Sequence, residues 1–351
     1  MYETIYIEKN KSTRFGVHFY ENSSQWNVFK DVCGIQEEKL AFIYNADIKN
    51  DAWKTIVKSA SAENVLELSE KAADNGKKLC DFLQNKKKHY TFVLLCDSYV
   101  MSEMYHNVTA EDAKISFIAV PITPFAMFDG VVTIRPELDE NGEILRKELL
   151  PKAVYADVSV LKEATPLEFQ DGIASAFRLA ISYKASMFEW MISNMYELTD
   201  GEEEAIVELL KRGYEVWKER IEKDTAKDRG LPVYGSYFYK LLEDANHELN
   251  EAELASLSMV CQTYLSWKKD LISMEEYYEI RDMFVFFGMA ITETFATPKE
   301  LVAIFKQNDY DITEEWVYIR KLGKLIKETA PTETLILEAL EQIYYDEQAV
   351  D

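Results

Sequence analysis

Glycine and proline are scarce in this chain, 12 and 8 among 351 residues, which excludes a collagen-like, loop-rich or low-complexity polypeptide. Cationic residues are in deficit as well: 39 Lys and Arg face 62 Asp and Glu, leaving a formal charge of −23. Affinity for nucleic acid rests on neutralising phosphates with cations, so no nucleic-acid partner is expected and the charge reads as solubility. The four cysteines, Cys33, Cys80, Cys96 and Cys261, form no CxxC pair and read as buried thiols in a reducing compartment. No apolar run approaches the ~20 residues that span a bilayer. The opening MYETIYIEKNKSTRF lacks the apolar core of a signal peptide. A soluble, cytoplasmic protein without a membrane partner is the expectation. The four histidines, His18, His89, His106 and His247, show no metal-ligand spacing and read as surface or core residues.

What is there is material for a large core, with 48% hydrophobic residues and a length that favours two domains. Residues 1–160 alternate apolar runs, KLAFIYNAD, YTFVLLCD, ISFIAVPI and AVYADVSVL, with amphipathic stretches such as NGKKLCDFLQNKKK. That rhythm predicts a Rossmann-like α/β domain with a mainly parallel sheet. Residues 161–351 carry helix signals instead. Thr165-Pro166-Leu167-Glu168 and Thr297-Pro298-Lys299-Glu300 have the form of capping boxes with Pro at the first helical position, and Asp200 followed by Glu203 reads as another start. In the helix that follows, Ile206, Leu209, Leu210, Tyr214, Trp217 and Ile221 share a face and Glu208 can pair with Arg212. WVYIRKLG is a late strand candidate. The predicted fold is an α/β Rossmann-like N-terminal domain followed by a mainly α-helical C-terminal domain.

One junction stands out. In VLLCDSYVMSEMY an apolar strand passes straight into helical periodicity, where a nucleotide-binding fold would carry a glycine loop, and no glycine is present. Ser98 sits there as a nucleophile would, but the strained elbow that presents such a serine needs glycines that are missing. No cysteine has a histidine at a recognisable catalytic spacing.

The order and spacing of several blocks resemble 3-dehydroquinate synthase and the wider sugar phosphate cyclase superfamily over nearly the whole length. FIAVPITPFAMFDGVV resembles the family's strand, turn and active-site Asp; LLPKAVYADVSVLKEATPLEF its next strand and helix start; DGIASAFRLAISYKASMFEWM its long helix. VYGSYFYKLLE lies where the family has Gly-His-x-x-Gly-His, and LVAIFKQNDYDITEEWVYIRKLG matches its closing helix and strand.

The resemblance implies NAD on a Gly-Gly-Gly loop and zinc on one Glu and two His. At the matching positions stand Cys96, Asp97 and Ser98, with Ser102 for the Asp that follows; Ser175, Ser236 and Glu251 replace the metal ligands. Side chains would meet the pyrophosphate where backbone must approach it, and one carboxylate does not make a zinc site. Neither NAD nor zinc is therefore expected. Glu70 coincides with a Glu of the family's ribose contact, but Ala73 replaces the Lys that should follow, so Glu70 reads as a helix cap.

The substrate clamp is retained in part. Asp129 remains as a candidate acid or base; Arg135 and Arg178 stand for family lysines, Arg229 for a family Arg, and Lys240 for the second His of the Gly-His motif. The closing Asp-Lys-Lys has become Asn308, Asp309 and Tyr310. Two readings stay open. Arg135, Arg178, Arg229 and Lys240 either converge on a small phosphate or carboxylate ligand, or the arginines fill the cleft paired with Asp129 or a neighbouring acid; the sequence leans to the second. The leading expectation is a catalytically degenerate dehydroquinate synthase-like protein, a partner or regulatory subunit in a biosynthetic pathway. It would form a homodimer, as the family does, or a heteromer with a pathway enzyme. The alternatives are a diverged enzyme acting on a phosphorylated or carboxylated small molecule without NAD or zinc, and a phosphosugar-sensing binder.

Overall fold

The computed structural model describes residues 2–48, 53–58, 60–107, 115–128, 150–223, 234–307 and 315–345. They fall into two compact units, each drawing on two stretches of chain: Met1–Glu168 with Ile206–Gly230, and Phe169–Ala205 with Leu231–Asp351. The division near residue 160 that the sequence suggests assigns 206–230 to the helical part, whereas these residues group with the sheet.

In the first unit, strands β1 (Thr4–Asn10), β2 (Thr13–Tyr20), β3 (Leu40–Asn45), β4 (Val65–Leu68), β5 (Thr91–Cys96), β6 (Phe117–Pro121) and β7 (Ala153–Asp157) form one sheet in the order β1-β2-β7-β6-β5-β3-β4. Only the β1–β2 pair is antiparallel; the remaining pairs are parallel. β5, β6 and β7 are apolar at nearly every position because both faces of a parallel sheet are covered. On one face Tyr20 stacks on Tyr155 at 4.8 Å and Trp26 on Phe29 at 5.1 Å, and this cluster continues under Leu40, Val93 and Ile118. Helix Glu203–Lys223 contributes to the same unit. Its Tyr214 packs edge-on against Phe19 at 5.6 Å, and its Trp217 donates from Nε1 to the Phe128 carbonyl at 2.6 Å. Arg212 and Glu208 pair at 2.8 Å, as the i,i+4 spacing predicts.

The second unit is helical. Its centre is helix Glu251–Lys268, with 14 of 18 residues buried. So complete a burial is tolerable because its small hydroxyl residues bond back to their own helix, Thr263 to the Met259 carbonyl at 2.6 Å and Ser258 to that of Ala255 at 2.9 Å. The late strand candidate is the first arm of a hairpin, β8 (Glu315–Lys321) and β9 (Lys324–Thr329). Gln262 donates to the Val317 carbonyl at 2.6 Å and ties that hairpin to the central helix. Trp316 lies fully buried, stacked on Tyr237 at 4.2 Å.

Both Thr-Pro helix starts form their boxes: Thr165 donates to the Glu168 carboxylate at 2.8 Å and Thr297 to that of Glu300 at 2.8 Å. Asp200 does not open a helix. It closes helix Met195–Thr199, and the chain turns at Gly201, with φ at +71°, before the next helix begins at Glu203. No helix among the described residues is long and apolar enough to cross a membrane.

Candidate functional site

The junction after β5 is built around Asp97, whose residue surface is 3% exposed. Its Oδ1 accepts from the Val100 amide at 2.6 Å, in the first turn of helix Ser98–Asn107, and its Oδ2 accepts from Asn45 Nδ2 at 2.8 Å. Asn45 Nδ2 also reaches Glu70 Oε1 at 2.9 Å, so one amide bridges two carboxylates. Burial, with a smaller contribution from Glu70, pushes the Asp97 carboxyl above its ordinary value, against the hydrogen bonds from Val100 and Asn45. Glu70 is therefore a partner of Asn45 rather than a helix cap.

The amino end of a helix offers unpaired amides to an anion. Here the chain's own carboxylate takes one of them, the Val100 amide. A pyrophosphate brought to the same amides would meet Asp97 at a cost of about 4 kcal/mol per like-charge pair at close range in a partly screened site. Next to it the Cys96 thiol is buried and donates to the Leu94 carbonyl at 3.2 Å; burial holds it protonated. Tyr99 Oη is taken by Asn75 Nδ2. Ser98 and Ser102 are exposed on the helix, and the His106 ring caps the Ser102 carbonyl at 2.8 Å. The residues present do not fit a dinucleotide at this turn.

The positions that resemble zinc ligands lie in the helical unit. Ser175 is 1% exposed and its Oγ has no hydrogen-bond partner among the described residues. Ser236 is half-buried at the start of helix Ser236–Ala245. Glu251 accepts from the Tyr239 hydroxyl at 2.5 Å. Arg178, on the same helix as Ser175, is held beside Tyr239 and Glu251, with burial pulling its guanidinium below its ordinary value. Two serines, a carboxylate already bonded to a phenol, and a nearby guanidinium are a poor donor set for a divalent cation. Among the described residues no group of three His, Cys, Asp or Glu is placed to hold a metal. The residues do not fit zinc.

Of the candidate anion clamp, Arg178 meets an acid of its own unit, Glu251. Lys240 is exposed and committed to its own helix, 2.9 Å from Asp244 and 3.1 Å from Glu243. Asp129, Arg135 and Arg229, like Asn308, Asp309 and Tyr310, lie outside the described residues.

Sequence reasoning missed a different concavity. A cavity of about 700 Å3 opens in the first unit, bounded by the β1–β2 hairpin and the amino ends of the parallel strands. His18 is buried in its wall with Nε2 3.6 Å from Cys33 Sγ and Nδ1 3.1 Å from Thr4 Oγ1. No local spacing signals it, because its walls come from separate segments of the first 153 residues.

No family model matches the chain. Among curated proteins, the 3-dehydroquinate synthase of Campylobacter concisus is 26% identical over 185 residues, 51% of this chain and 52% of that protein. That of Campylobacter curvus is 27% identical over 182 residues, 50% and 51%. The chain thus spans about half the length of the curated relatives it matches. Among solved structures, a 2-deoxy-scyllo-inosose synthase complexed with carbaglucose-6-phosphate, NAD+ and Co2+ superposes with a TM-score of 0.73 at 14% identity, over 97% of this chain and 100% of that one. The 2-epi-5-epi-valiolone synthase of Streptomyces hygroscopicus gives 0.70 at 13% identity, over 95% and 98%. The chain is similar to 3-dehydroquinate synthases over about half its length, and it shares the α/β-plus-helical fold of the two solved synthases.

Proposed function

We propose that this dehydroquinate synthase-like chain has lost cyclase chemistry and acts as a partner or regulatory subunit in a biosynthetic pathway, as a homodimer or bound to a pathway enzyme. The observation that carries the reading is Asp97, whose buried carboxylate occupies the Val100 amide in the first turn of the helix, where a pyrophosphate would have to approach. Cyclisation of the family's kind removes a hydride and later returns it, with a metal polarising the reacting oxygen. A chain that excludes the hydride acceptor and offers serines for the metal has neither half of that machinery. What remains is a fold with its core intact, Tyr20, Trp26, Phe29 and Tyr155 still packed together, and that supports a role carried by its surface.

Native mass spectrometry of the freshly purified chain, with and without added NAD and zinc, tests the reading. The expected spectrum shows a dimer or a complex with a foreign subunit, and no mass for either cofactor. Stoichiometric uptake of NAD or zinc overturns it, and the chain should then be assayed as a cyclase.

A further inference from the structure

The cavity beside the β1–β2 hairpin has the electrostatics of a binding site. In a chain where acids outnumber bases 62 to 39, its lining contains Arg14, Lys39 and Lys152 and no Asp or Glu. All three are exposed, and none forms an ion pair among the described residues. Glu8 faces Arg14 across the strand pair without bonding to it. The Arg14 guanidinium lies instead over the Tyr6 ring, 4.5 Å from its centroid, which orients its planar fork. Cations of one sign lining a concave surface focus the field and concentrate anions there, and a guanidinium fork can take a phosphate or carboxylate in two parallel bonds.

The wall between them is neutral and closely fitted. A Cβ at Gly16 would stand 2.5 Å from His18 Nε2, so glycine at that strand position is what admits the ring. Burial lowers the His18 imidazole and raises the Cys33 thiol to about 11. The pair therefore stays largely uncharged at neutral pH and Cys33 is a slow nucleophile, which makes the cavity a place for binding rather than reaction. Its apolar lining, Phe15, Val32, Ile35 and Ile118, gives room for a body behind the charged head, and about 700 Å3 is within the range of small-molecule pockets. The site lies at the amino ends of the strands, where Thr91 and Ala153 begin β5 and β7, whereas Asp97 follows the carboxyl end of β5.

We propose that this cavity binds a small anionic metabolite, a phosphate or polycarboxylate borne on an apolar or ring-shaped body. The proposal does not depend on the loss of the cyclase site.

Isothermal titration calorimetry on the full chain at low salt, with pyrophosphate, adenosine monophosphate and citrate as probes, tests it. At least one probe should bind saturably and one-to-one. Pyrophosphate or the nucleotide alone would identify phosphate as the head, citrate alone carboxylate. Affinity should fall about tenfold or more in Arg14→Ala/Lys152→Ala and stay unchanged in Lys77→Ala, an exposed lysine outside the cavity. The bound probe should also slow iodoacetamide labelling of Cys33, read by peptide mass. Both mutated cavity residues are exposed, so the variant should melt as the parent does. Silence of all three probes at low millimolar concentration, affinity that survives the double substitution, or binding that leaves Cys33 labelling unchanged would each overturn the proposal.

Discussion

Replacing Asp97 by Ala removes the side-chain acceptor of the Val100 amide and one of two acceptors of the Asn45 amide. Asn45 keeps Glu70 at 2.9 Å, so it is not orphaned. Val100 has no exposed surface, and losing a cap of this kind costs about 0.5–2 kcal/mol. The bond from Asn45 to a carboxylate contributes about 1.5–3 kcal/mol in gross terms. Most of that is offset because the variant no longer buries an anion beside Glu70, the two effects that raise the Asp97 carboxyl. The net expectation is a loss of about 1–2 kcal/mol, or a Tm lower by roughly 2–8 °C for a unit of this size. Differential scanning calorimetry at pH 7 reads it. Because the folded carboxyl titrates above its unfolded value, the folded state holds the proton more tightly. The parent's advantage over the variant is thus largest in acid and shrinks as pH rises through the raised value. An unchanged or higher Tm in the variant, or a gap that widens with pH, would refute the view of Asp97 as a buried cap of Val100 whose carboxyl is held above its ordinary value.

Two further predictions follow from buried groups. The Asp157 carboxyl accepts from the amide and hydroxyl of Ser159 at 2.9 and 2.6 Å, and burial pushes it up to about 6. Asp157→Asn keeps an acceptor and should gain stability over the parent as pH rises from the ordinary carboxylate range through 6, by at most about 3 kcal/mol; equal urea midpoints at pH 4.5 and 7.5 would speak against it. Gly323, with φ at +76°, turns the β8–β9 hairpin so closely that a Cβ would stand 2.5 Å from the Ala185 amide nitrogen. Gly323→Ala should cost about 1–3 kcal/mol, and a urea midpoint within error of the parent would show that the turn relaxes.

The parallel strands were legible because burial on both faces demands unbroken apolar runs, and LLC, FIAV and AVYA provide them. The β1–β2 hairpin was not: TIYIEKN carries charges on a face that meets solvent, and TRFGVHFY, though buried from Phe15 to Tyr20, is interrupted by Gly16 and His18. β4 was hidden for a related reason, a four-residue edge strand with one fully buried position. The absence of glycines and histidines at the family's site could be read residue by residue. What Asp97 does could not, since its partners Asn45 and Glu70 belong to other segments of the chain. The sequence suggested a charge facing outward to repel a ligand, and the fold turns that charge inward onto its own helix. The cavity with Arg14, Lys39 and Lys152 was still less visible, because its cations are scattered over the first 153 residues and become neighbours only through sheet order.

The return of residues 206–230 to the sheet unit bears on how the protein is made. A nascent chain emerging at about 5–20 residues per second exposes the Phe19 ring and the Phe128 carbonyl long before Tyr214 and Trp217 arrive to meet them. During that interval the sheet carries a bare apolar face, the kind of surface that chaperones hold and that aggregation seeds upon. A polypeptide stopped at residue 160 would carry that face permanently, so the first half of this gene product is not a module that can be expressed alone or exchanged between proteins by simple fusion.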